Sequence, residues 1–179
     1  MSNRNYNLTL ICEWEYDGQS GSFTFDPYND CTDMDGLKEF AVEDIEKTIE
    51  PETDEDGDEM DFTVNDDNVK IKITDYDEVP SSYANEKDVW EFAEAFAECE
   101  QKIEVVEAAL YCGVSADDID EAYQGEYKDD QEFAMETADS MGAVDKDAKW
   151  PMNCIDWEYA AKELMYDYSD HNGHYFRNF

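Results

Sequence analysis

The sequence predicts an α+β protein: a small N-terminal β-sheet plus helix unit, followed by mainly helical sequence. Three observations carry this expectation. Residues 6–16 alternate in polarity with period two, residues 89–110 repeat apolar positions at 3-4 spacing, and turn-forming residues separate such stretches.

In the first strand Tyr6, Leu8, Leu10, Cys12, Trp14 and Tyr16 share one face, and Asn7, Thr9, Ile11, Glu13 and Glu15 the other. Asp17-Gly18-Gln19-Ser20-Gly21 reads as a hairpin loop and Ser22 to Phe25 as the returning strand. Thr32 opens a helix, with Asp35 completing a capping-box-like start. Met34, Leu37, Ala41, Ile45 and Ile49 form its apolar stripe, and Pro51 closes it. An acidic loop follows from Glu52 to Asp61. Two further strands are expected at Met60–Val64 and Val69–Thr74, joined by a turn at Asn65-Asp66-Asp67-Asn68.

After Pro80 the pattern turns helical. Val89, Phe92, Phe96, Cys99, Ile103, Val106 and Leu110 predict one sustained seam between Glu86 and Tyr111, with Gly113 as its stop. Ser115 with Asp118 starts the next helix, Asp129 to Met141 forms another that ends at Gly142, and Asp156 caps the last. That last helix carries Trp157, Ala160, Ala161, Leu164, Met165 and Tyr168 on one side, and Asn172-Gly173 is a tight turn after it.

Composition sets limits on function. The 179 residues carry 49 Asp and Glu against 12 Lys and Arg, a net charge of −37. Such a chain is repelled by nucleic acid phosphates and by anionic membrane surfaces. No apolar run is long enough to span a bilayer, and the N-terminus has no secretory pattern, so the expected location is the cytoplasm. Five scattered cysteines are expected to stay reduced. Leu, Ile, Val and Phe make up only about 17% of the chain, a value that with high charge signals disorder. Twelve Tyr and four Trp restore the apolar material for a core, at roughly 150–250 Å² buried per aromatic. The acids run −15, −13 and −9 net over residues 1–60, 61–120 and 121–179, so they coat the chain and form no tail.

Motifs for chemistry are missing. No metal-binding Cys or His pattern, nucleophile elbow or phosphate-cradling glycine loop occurs, so neither an enzyme nor a cofactor is expected. His171 and His174 flank the Asn172-Gly173 turn and read as surface residues. Glu52-x-Asp54-x-Asp56-Gly57 places a glycine as a calcium loop does, but Thr63 stands where the bidentate Glu belongs, so no metal site is expected. Salt adaptation fits poorly, with Lys outnumbering Arg ten to two.

The charge itself suggests a use. Duplex DNA bears about one negative charge per 1.7 Å, so 37 charges match roughly 18 base pairs. Acids three or four places apart on a helix lie about 5–6 Å from one another, close to phosphate spacing, and Glu91, Glu94 and Glu98 are so placed.

Three segments carry a resemblance. Ile119-Asp120-Glu121-Ala122-Tyr123-Gln124-Gly125-Glu126-Tyr127, followed by Glu132-Phe133-Ala134, resembles the antirestriction motif of the ArdA family. Asp75-Tyr76-Asp77-Glu78-Val79-Pro80 is similar to the close of that family's first domain, and Ile155 to Leu164 with Gly173-His174-Tyr175-Phe176-Arg177 to its ending. The likeness covers about residues 70–179; the first 65 match poorly. It implies an elongated homodimer with an α+β domain at 1–80 and two small helical domains at 81–113 and 114–179. It also implies a DNA mimic that occupies the groove of a type I restriction–modification enzyme. Within the motif, Ile119, Ala122, Tyr123, Gly125, Tyr127 and Phe133 are the residues matched. The candidate partner-contacting acids are Glu91, Glu94, Glu98, Glu104, Glu107, Asp117, Asp118, Asp120, Glu121, Glu126, Asp129, Asp130, Glu132 and Glu136. A mimic aimed at a CRISPR effector or another DNA-binding defence protein, and an acidic calcium-binding protein, are the alternatives.

Overall fold

A two-residue turn starts the architecture. Asp17 (φ 47°) and Gly18 (φ 76°) both adopt left-handed backbone, which matches the twist of the strands they join, β1 (Thr9–Tyr16) and β2 (Gln19–Phe25). The turn is therefore shorter than the five residues expected, and Gln19 to Gly21 belong to the strand, with Tyr16 opposite Gln19. A computed structural model describes residues 8–30, 33–49, 62–145, 147–151 and 153–179. The acidic loop, the calcium-loop-like stretch up to Asp61, Pro51 and the expected helix start at Thr32 lie outside these residues.

Helix α1 (Met34–Thr48) takes its cap from Asp33, whose carboxylate accepts the Gly36 N–H at 2.9 Å. β3 (Lys70–Asp77) pairs antiparallel with β1 on the side opposite β2, giving the order β2-β1-β3. Asn65 caps a single 3₁₀ turn, Asp66–Asn68, where the four-residue turn was expected. The strand expected at Met60–Val64 is absent from its described part, residues 62–64. Beneath this sheet, among the described residues, lie two clusters: Leu10, Cys12, Phe25, Leu37, Ile73 and Val89, then Trp14, Ala41, Ile45, Val64 and Val69. Helix α2 (Val89–Glu98) joins the first through Val89, and the Trp90 ring meets Phe25 edge-on at 6.0 Å.

The single long seam is two helices. α2 ends at Glu98 and α3 spans Ile103–Tyr111, with a break over 99–102. Burial still follows the predicted positions: Val89, Phe92, Phe96, Cys99 and Val106 are buried and Ile103 and Leu110 partly so. α3 ends as expected, with Gly113 at φ 77° and Val114 N–H reaching back to the Ala109 carbonyl.

Residues 114–179 hold, besides helices, three strands that the expectation of a mainly helical stretch did not include. A 3₁₀ turn (Ala116–Asp118) and a single-turn α4 (Ile119–Ala122) lead into β4 (Tyr123–Glu126). Helices α5 (Asp130–Ser140) and α6 (Trp157–Leu164) follow, then the hairpin β5 (Tyr168–His171) and β6 (His174–Arg177). These strands form a second antiparallel sheet, ordered β4-β6-β5. Four-residue strands are too short for period two to stand out beside the helical pattern of Trp157 to Tyr168.

The fold is thus mixed α+β. The chain divides into two compact units, Met1–Ala97 and Glu98–Phe179. This division falls inside the stretch 81–113, with α2 in the first unit and α3 in the second. Among the described residues no helix is long and apolar enough to cross a membrane.

Candidate functional site

The acids of α2 are placed by what lies behind them. Val89, Phe92, Ala93, Ala95 and Phe96 are buried, and the Phe92 and Phe96 rings stack at 6.1 Å. Glu91, Glu94 and Glu98, at i, i+3 and i+7, are left on the exposed side as one stripe. On α3 Glu104 is exposed and Glu107 half-buried, while Val105, Val106, Ala108 and Ala109 face inward. The place after Glu107 on that stripe is Tyr111, whose ring stacks on His171 at 3.7 Å. His171 thus packs as well as turning the hairpin.

The remaining candidates separate into two kinds. Asp117, Glu121, Glu126 and Glu136, like Glu91, Glu94, Glu98 and Glu104, accept no hydrogen bond and join no ion pair among the described residues. Five others are occupied by the fold. Asp118 accepts the Ser115 hydroxyl at 2.5 Å. Asp120 accepts the Glu100 N–H at 2.9 Å and the Gln101 side-chain amide at 2.6 Å. Asp129 caps α5 by accepting the Glu132 N–H at 3.0 Å, and Glu132 accepts the Lys128 N–H at 2.7 Å in return. The Glu132 N–H, aided by the charge of Lys128, holds the Asp129 carboxyl below its ordinary value. Asp130 accepts the Tyr175 hydroxyl at 2.6 Å. Burial, reinforced by that same carboxylate, raises the Tyr175 phenol well above its usual range.

Of the six motif residues three are buried and three partly so. Ile119, Ala122 and Phe133 are buried, and Gly125 takes φ 124° at a register shift between β4 and β6, backbone that glycine adopts without strain. Tyr123 Oη and His174 Nδ1 are 3.1 Å apart, and the Tyr127 hydroxyl donates to the Gln124 carbonyl at 3.1 Å. The Tyr127, Phe133, Tyr168 and Tyr175 rings form a connected aromatic cluster with centroids 4.6–5.5 Å apart. Burial, and secondly nearby glutamates, raise the Tyr123 and Tyr127 phenols.

A cleft of about 350 Å³ opens beside this motif, lined by Gln101, Lys102, Glu104, Val105, Tyr123, Glu126 and His174. Sequence spacing alone does not show that residues 101–105 and 123–126 share a wall. Cys12 and Cys99 are buried, Cys112 half-buried and Cys154 exposed. Burial raises the Cys112 thiol, with Asp170 adding to the effect. Compared with protein-family models, curated proteins and solved structures, the chain matches none.

Proposed function

We propose that this protein is a DNA mimic of the ArdA type, a stoichiometric inhibitor of type I restriction–modification enzymes that occupies their DNA-binding groove. The observation that supports the reading most is the Glu91, Glu94 and Glu98 stripe: three unpaired carboxylates on a helix whose other side is buried core, in a chain of net charge −37. Carboxylates at that spacing offer a basic groove what phosphates offer, and displace the same counterions. The acid coat works without a metal, a cofactor or turnover, so the protein is not an enzyme. On this reading it acts in the bacterial cytoplasm as a homodimer, with contact spread over both units.

Contact spread over many charges predicts small losses from single changes. Replacing Glu91, Glu94, Glu98 and Glu104 together with Gln is expected to weaken inhibition at least about tenfold, whereas any one replacement costs threefold or less. The assay is phage plating on a strain with an active type I system, with and without the protein, alongside DNA competition in vitro. Unchanged plating with the wild-type chain would reject the type I target, and capture from a host lysate would then identify another DNA-binding defence protein.

A further inference from the structure

The acid at position 120 stands apart from its neighbours. Both of its oxygens are taken by residues about twenty places earlier, the Glu100 N–H and the Gln101 side-chain amide. Those two residues lie in the break that precedes α3, and α3 has no side-chain cap of its own: Lys102 at its N-cap makes no such hydrogen bond. Gln101 and Lys102 also line the cleft whose other wall is Tyr123, Glu126 and His174.

We propose that Asp120 is a positioning residue, a latch that fixes the start of α3 against the α4–β4 segment. Its charge is used inside the fold. Through the latch, Glu104 on α3 is held in register with Glu121 and Glu126, three exposed acids of one unit. The importance of that register for inhibition rests on the DNA-mimic reading; the latch itself does not.

The experiment compares Asp120→Ala, Asp120→Asn and Glu121→Gln in the full-length protein. Glu121 is exposed with no hydrogen bond, so it serves as the neighbouring acid without a latch. Amide exchange followed by NMR should quicken about tenfold at Glu100 in Asp120→Ala, less in Asp120→Asn, which keeps one acceptor oxygen, and not at all in Glu121→Gln. Affinity for a type I enzyme, measured over a range of salt, supplies the second readout. Asp120→Ala should bind more weakly with the wild-type slope of log K against log salt, whereas Glu121→Gln should lose up to about one unit of slope. Glu100 exchange unmoved by Asp120→Ala, or a slope lowered as a contacting acid lowers it, would overturn the proposal. Failure of the wild-type protein to bind any such enzyme would remove the mimic reading, and the exchange result would still decide the latch.

Discussion

Gly21 in β2 lies under the indole of Trp14 on the neighbouring strand, where an added Cβ would come within 2.5–2.8 Å of the ring. That ring is 1% exposed and its N–H is held by Asp44 at 2.7 Å, so it has nowhere to move. Gly21→Ala is therefore expected to cost about 1–3 kcal/mol in urea unfolding, with the exposed Ser20→Ala near neutral as comparison. Tyr175 presents the opposite case, a buried ring whose hydroxyl is anchored to Asp130. Tyr175→Phe should cost about 1–2 kcal/mol at neutral pH. Because the fold raises this phenol, its contribution is complete below the unfolded value of about 10 and is lost as pH rises through the folded value. Stability curves above pH 10 should accordingly fall less steeply in Tyr175→Phe than in the wild type.

Elements were legible in the sequence where one residue pattern controlled them. The Leu8–Trp14 face at β1, the stripe of α1 and the Asp156 cap are where periodicity and capping rules put them, while Asp129, expected as the first helical residue, is the cap of α5. The break between α2 and α3 was not legible, because apolar spacing continues through Cys99 while the stabilising partner, Asp120, is distant in sequence. For the same reason five of the eight acids expected in the 117–132 stretch hold backbone, amide or hydroxyl groups: a carboxylate that caps and one that faces solvent look alike in a sequence. Turn glycines make a further comparison possible. Gly113 (φ 77°) ends α3 with open space around its missing Cβ, whereas a Cβ on Gly173 (φ 83°) would sit 3.0 Å from the Tyr127 carbonyl oxygen. Gly113→Ala should cost about 1 kcal/mol from backbone strain alone, and Gly173→Ala measurably more, since Tyr127 N–H also bonds the Gly173 carbonyl at 2.9 Å. Thermal unfolding of the two variants side by side checks the order.

Across the whole molecule, the surplus of acids opposes folding and favours a cationic partner, so salt should act on the two in opposite directions. The ion pairs among the described residues, Lys47–Glu43, Lys70–Glu15, Lys87–Asp88 and Lys128–Asp129, are all at the surface and offset little of a −37 charge. Screening shortens the reach of repulsion from about 30 Å at 0.01 M to about 10 Å at 0.1 M, so the urea midpoint should rise over that range and level off well below 1 M. A plateau that came only at molar salt would mark a protein adapted to brine. Binding to a groove built for DNA should weaken over the same range, since each counterion released gains less free energy as bulk salt increases. Measuring both on one preparation separates the causes, because a loss of binding through unfolding would follow the stability curve, whereas competition for a cationic groove must run against it.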